Sequence, residues 1–223
     1  MQALADDYAA WWIDFLGEHN HVGGPDATRW LLERSRLQPG DWMLDCGSFV
    51  GAAARVAATK HGINAVPADI GFDFLDTGRQ LPGGEAVHWV AANTRRLPFP
   101  DATFQSVWAL DTDIAPREMS RVAAASATIC LCTEAPTDGR GGMEALVEEW
   151  AEWGWKLAAH KPMNNEATQQ WRHVEGELVR QRPDAERRYG HRHYLGQLDM
   201  VAAMVYAYER NELGHALFVF ARG

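Results

Sequence analysis

The densest chemistry in the chain lies in Met43-Leu-Asp-Cys-Gly-Ser-Phe-Val-Gly-Ala. Asp45 ends a short apolar run, Gly47 follows two residues later, and Gly51 opens an Ala-rich stretch. A strand that ends in an acid and turns through glycines into a helix brings backbone N–H groups and a helix N-terminus close to a ligand. Asp69 lies 24 positions after Asp45, at the tip of the next apolar run. An acid there can accept both hydroxyls of a ribose. Asn93 follows the third such run, where a side-chain amide can read a base edge.

These residues need a scaffold that sets them along one edge. Short apolar runs at 42–46, 65–69, 86–91, 104–110, 127–133, 155–159 and 217–220 read as strands. Pro67 argues against full pairing of the second one. Helical patterns cover 8–16, 25–36, 51–61, 73–80, 116–124, 141–152, 164–182 and 193–211, with Gly62 placed to end the third. Strands that alternate with helices at this spacing predict a parallel sheet covered on both faces.

In order and spacing the chain resembles the class I S-adenosylmethionine-dependent methyltransferases over nearly its whole length. The family's apolar-apolar-Asp-x-Gly-x-Gly-x-Gly motif falls on Met43, Leu44, Asp45, Gly47 and Gly51. Its ribose-binding acid falls on Asp69, and its Asp-Ala-x-x-Leu-Pro-Phe stretch on Asn93-Thr-Arg-Arg-Leu97-Pro-Phe99. Phe104-Gln-Ser-Val107, Glu118-Met-Ser-Arg121-Val122, the leader His21-Val-Gly-Gly-Pro25 and the tail from Glu212 fit the same pattern. The resemblance implies a doubly wound, Rossmann-like α/β sheet of seven strands with the last antiparallel. It implies one domain over 1–223, with an N-terminal helical lid at 1–40 and a helical cap insertion at 161–211. It also implies S-adenosylmethionine as cofactor and transfer of its methyl group to a small molecule. Asp45, Gly47, Ser48 and Gly51 would hold the methionine end, Asp69 the ribose, and Asn93 and Thr94 the adenine. Phe49, Ile70 and Leu110 would complete the cofactor's surroundings.

The departures are informative. Phe49 stands where the family has its middle glycine, Asn93 and Gln105 replace acids, and Ala-Ala-Ala-Ser-Ala replaces a Lys-Pro-Gly-Gly turn after Val122. A bulky residue held at positive φ costs about 1–3 kcal/mol. Either the ring stacks or turns aside in an active enzyme, or the chain is a non-methylating protein on this fold, a cyclase or a regulatory partner. A dinucleotide-binding domain is a third reading, and its fingerprint needs glycine where Phe49 stands.

A sulfonium methyl group is already activated, so positioning dominates its transfer. Hydroxyl or carbon acceptors also need a base. His21 beside His19, Asp111 beside Asp113, and His191 and Tyr194 beside Tyr189 and His193 are the candidates. Capping histidines, a solvated turn and a solvated helix start are their structural alternatives. Arg180, Arg182, Arg187, Arg188 and Arg192 make the last segment locally basic, which suggests an anionic or zwitterionic acceptor.

Composition bounds the rest. With 223 residues, 47% hydrophobic and 23% charged, the chain is an ordinary globular one. A net charge of −9 disfavours nucleic acid as a partner. The longest apolar stretch, Met200 to Tyr208, is too short for a bilayer, so no membrane partner is expected. The acidic start (Met1 to Asp7) lacks a signal-peptide core, and three cysteines form no disulfide framework, so a cytoplasmic setting is expected. No four-ligand metal spacing stands out, and the cysteines read as small buried hydrophobes. The 10 Trp read first as core filling and second as the lining of a small-molecule pocket. A homodimer or a heteromer is compatible with all of this.

Overall fold

The computed structural model describes residues 6–137 and 142–222. Residues 1–5 of the acidic start (Met1 to Asp7) and the first residue of the helix expected at 141–152 lie outside the described residues.

Seven strands form one sheet: β1 (Trp42–Cys46), β2 (Asn64–Asp69), β3 (Val90–Ala91), β4 (Phe104–Leu110), β5 (Ala123–Pro136), β6 (Trp155–Pro162) and β7 (Leu213–Arg222). Their order is β3-β2-β1-β4-β5-β7-β6. β1 pairs parallel with β2 and β4, while β7 runs antiparallel between β5 and β6. The chain moves outward from β1 to β2 and β3, then returns to β4 on β1's other side. Ligands bind in such sheets at the carboxyl ends of the strands where the order reverses, which is between β1 and β4.

Alternation along β1 assigns the two faces. Met43 joins a core with Ala65, Trp108 and helices α2 (Gly24–Leu32) and α3 (Ala52–His61). Leu44 joins the opposite core with Val66, Val107, α5 (Pro116–Val122) and, at its edge, α6 (Met143–Glu152). A third cluster packs α1 (Asp6–Leu16) against α7 (Asn164–Arg180), α8 (Arg182–Tyr189) and α9 (His191–Glu209). α4 (Phe72–Gln80) follows β2. Among the described residues, no helix is long and apolar enough to cross a membrane.

Most expected elements form; β5, β6 and β7 run longer than expected, and three other departures have a local cause. β2 is paired with β1 through Pro67, opposite Asp45. Ala65 and Asp69 accept backbone hydrogen bonds from the β3 side, so alternation turns the Pro67 nitrogen to that side too. β3 is only two residues long there, preceded by a 3₁₀ turn at Gly84–Ala86, so the missing N–H disturbs little and the strand expected over 86–91 shrinks. α8 was not expected. Pro183 cannot continue α7, but its fixed φ suits the first turn of a new helix.

Candidate functional site

β1 delivers Asp45 to the sheet edge, and the turn after it is held tightly. Gly47 has φ +63°, and a Cβ there would sit 2.0 Å from Thr112 Oγ1. Phe49 has φ +53°, so the family's glycine conformation persists with a phenyl attached. Its N–H donates to Asp69 Oδ2 at 2.9 Å, and Gly71 N–H donates to Asp69 Oδ1 at 2.8 Å. The Phe49 ring is 4% exposed, packs on Phe74 at 5.1 Å between centroids, and belongs to the cluster of Trp11, Phe15 and Val50. The ring is therefore turned aside, into the packing beneath α1 and α7.

What remains along the edge is a groove. A cavity of about 260 Å³ is lined by Gly47, Asp69, Ile70, Asn93 and Thr94. On the other side of Gly47, Asp45, Ser48, Glu18, His21 and Leu110 line a crevice of only about 10 Å³. Ser48 Oγ is buried with no hydrogen-bond partner. Burial first, then the Asp69 carboxylate, raises Asp45 to about 7, against a backbone hydrogen bond from Ala54. Burial also raises Asp69, opposed by the N–H groups of Gly71, Phe49 and Ile70. An unsatisfied hydroxyl and a high-lying carboxylate side by side suit an ammonium group. Each Asp69 oxygen keeps a lone pair for a further donor. Asn93 Oδ1 is engaged by Arg95 N–H at 2.9 Å.

A third space, about 460 Å³, lies beyond β4 and β5 and is lined by Trp12, Asp111, Glu134, Trp171, Met204 and His215. It also shares Thr112 and Asp113 with the 260 Å³ cavity and Asn20 with the crevice, so the three are neighbours. Trp12 and Trp171 meet edge to face at 6.4 Å, so part of the tryptophan content does line a pocket. Trp11, Trp108, Trp150 and Trp155 fill cores.

One wall of this space is a polar network. Asp111 Oδ2 accepts from Val22 N–H at 2.8 Å, and Asp111 Oδ1 lies 3.1 Å from His215 Nε2. His215 Nδ1 meets Tyr208 Oη at 2.8 Å, and Tyr208 donates to Glu134 at 3.0 Å. Cys132 Sγ stands 3.3 Å from His215 Nε2. Burial, then the Asp111 carboxylate, pushes the Cys132 thiol up. His215 was not singled out from the sequence. The signal was available: β7 runs against its neighbours, so the start of β7 lands on the ligand edge.

The remaining expected site residues separate. His21 is buried on the crevice, with Nε2 at 3.0 Å from Gly24 O and 3.1 Å from Thr28 Oγ1; burial lowers its pKa more than Asp111 and the Gly24 carbonyl raise it. His19 falls to about 4, chiefly through burial. His191 is exposed and pairs with Glu186 at 3.0 Å. Tyr194 is buried with its hydroxyl donating to Leu178 O at 3.3 Å, and Arg182 lies over its ring. Neither lines the groove or the large cavity, because both belong to the packing of α8 and α9. Gly51 caps α3 at φ +66°, where a Cβ would meet Trp89 and Pro67. Arg180, Arg182, Arg187 and Arg188 pair on the surface with Glu177, Glu186, Asp184 and Asp14.

The same architecture occurs in solved structures. The cyclopropane synthase MmaA2 from Mycobacterium tuberculosis superposes with a TM-score of 0.85 at 13% identity, over 99% of this chain and 96% of that one. Phosphoethanolamine N-methyltransferase 2 of Haemonchus contortus, bound to phosphomonomethylethanolamine and S-adenosylhomocysteine, gives 0.80 at 14%, over 97% and 57%. The fold is that of the class I methyltransferases. In sequence, methyltransferase GfsG of Streptomyces halstedii is 31% identical over a stretch covering 49% of this chain and 42% of that protein. The chain thus spans less than half the length of this curated relative. No family model matches it.

Proposed function

We propose that the protein transfers the methyl group of S-adenosylmethionine to a small-molecule acceptor. The carrying observation is Asp69 at the wall of an open nucleoside-sized cavity, with the Phe49 ring out of it. GfsG's likeness in sequence and the bound S-adenosylhomocysteine in a structural neighbour support the reading. When bound, the cofactor supplies a methyl group on a positively charged sulfur, open to in-line attack.

The chain's own residues do the holding. Asp69 accepts the ribose hydroxyls, Ile70, Asn93 and Thr94 enclose the adenine, and Asp45 with Ser48 takes the ammonium end. Asp111 stands where the groove meets the large cavity, and the tryptophans there exclude water from the acceptor. Positioning of this kind contributes about 7–11 kcal/mol. Of the expected lid at 1–40 and 161–211, the described residues 6–40 and 161–211 cover this space. Among the described residues, no arginine or lysine lines the 460 Å³ cavity, so the basic segment gives an anionic acceptor no support there. The non-methylating reading arose from Phe49, whose ring does not enter the groove.

Calorimetric titration with S-adenosylmethionine and S-adenosylhomocysteine tests this. Saturable one-to-one binding is expected, weakened about 10–100-fold in Asp69→Ala through loss of charge-assisted hydrogen bonds. Absence of heat up to millimolar ligand in the wild type would refute it. Turnover is then read as ¹³C-methyl transfer to a panel of amines, phenols and thiols.

A further inference from the structure

Three ligand-type atoms converge on one wall of the large cavity. Asp111 Oδ1 and His215 Nε2 are 3.1 Å apart, His215 Nε2 and Cys132 Sγ 3.3 Å, and Cys132 Sγ and Asp111 Oδ2 3.7 Å. One donor atom from each residue lies within 4.8 Å of the other two. The fold brings them together from distant positions. Leu110 and Cys132 are partners across β4 and β5, and Glu134 and His215 are partners across β5 and β7. Cys132 and Glu134 alternate onto one face of β5, so Cys132, Glu134 and His215 share it.

The hydrogen bonds around the cluster leave one thiol proton among three electron-rich atoms at its centre. Tyr208 donates its only proton to Glu134, so it accepts from His215 Nδ1–H. In a neutral imidazole that leaves Nε2 as a lone pair, aimed at a carboxylate oxygen and a sulfur. The Cys132 thiol proton serves only one of these contacts at a time, whereas a cation that displaces it serves all three atoms. Zinc bonds of about 2.0–2.3 Å at tetrahedral angles put ligand atoms about 3.3–3.6 Å apart, close to the 3.1 Å and 3.3 Å of the two His215 Nε2 contacts.

We propose that Asp111, Cys132 and His215 form a three-ligand site for a divalent transition metal of the zinc class, with its fourth position open to the large cavity. The thiol loses its proton on binding, and thiolate plus carboxylate balance the two positive charges. The surroundings support the ligands: Tyr208 fixes the imidazole through Nδ1, and Val22 N–H holds the second Asp111 oxygen. Three protein ligands with a vacancy toward a cavity is the pattern of metal sites that bind water or substrate. Sequence spacing hides such a site, since the ligands lie at positions 111, 132 and 215.

The test uses untagged full-length protein loaded with zinc, dialysed into metal-free buffer and assayed by mass spectrometry. About one zinc per chain is expected, dropping to near zero in Cys132→Ser and in His215→Ala. Cobalt(II) added to the wild type reads the site without any variant. Intense visible bands of tetrahedral cobalt and a near-ultraviolet thiolate charge-transfer band are expected. A wild type that retains no zinc and gives neither band would overturn the proposal, leaving a proton shared between His215 and Asp111. Both outcomes are independent of whether S-adenosylmethionine binds.

Discussion

At Phe49 two effects oppose each other, and their sizes decide what replacement does. Positive φ costs a bulky residue about 1–2 kcal/mol, which glycine relieves. Removing a buried phenyl costs about 3–5 kcal/mol. Phe49→Gly is therefore expected to destabilise the protein by about 1–4 kcal/mol in urea unfolding. Cofactor affinity should stay within about threefold, because the ring lies outside the groove. A tenfold gain in affinity would mean that the phenyl obstructs the site. Asp45 makes a pH prediction. Its carboxyl titrates at about 7 in the native protein and near 3.8 when unfolded. The native state thus holds the extra proton between these values, and stability falls as pH rises through that window. At about 1.4 kcal/mol per unit, Asp45→Asn should stabilise the unliganded protein by a few kcal/mol at pH 8 relative to wild type, while weakening cofactor binding. Equal stabilities of variant and wild type at pH 8, by denaturant unfolding, would contradict the burial argument.

Elements were legible where one local force dominated. β1 and β4 appear at their expected limits because each is an unbroken apolar run bounded by turn residues. β5 extends to 14 residues, beyond the expected 127–133, since β4 and β7 supply partners that no local pattern reveals. His215 was missed because the last strand was expected only from 217, whereas pairing with β5 and β6 starts it at Leu213 and brings His215 to the ligand edge. Arg55 on α3 is another such case. Its buried guanidinium donates to Pro82 O at 2.8 Å and Val50 O at 3.3 Å and pairs with Glu18, which lines the crevice. Arg55→Met should cost about 2–4 kcal/mol in thermal or urea unfolding, because it strands two carbonyls and frees Glu18. A change below 0.5 kcal/mol would show that water replaces those bonds at no cost.

For the whole molecule, the three neighbouring spaces and the helices over them predict that ligand and fold are coupled. S-adenosylhomocysteine at 100 times its Kd should add about 2.7 kcal/mol, or roughly 5–11 °C in Tm for a chain of this size. An unchanged melting curve at saturation would place binding in the unfolded chain as well as the native one. Four of the five surface arginines that suggested an anionic acceptor, Arg180, Arg182, Arg187 and Arg188, are held by acids of α1, α7 and α8, which the bare charge count could not reveal. The most direct measurement is a crystal structure of the protein grown with S-adenosylhomocysteine. The ribose hydroxyls should lie within hydrogen-bond distance of Asp69, with the adenine beside Ile70, Asn93 and Thr94. A nucleoside bound elsewhere, or an Asp69 that makes no contact with it, would contradict the account.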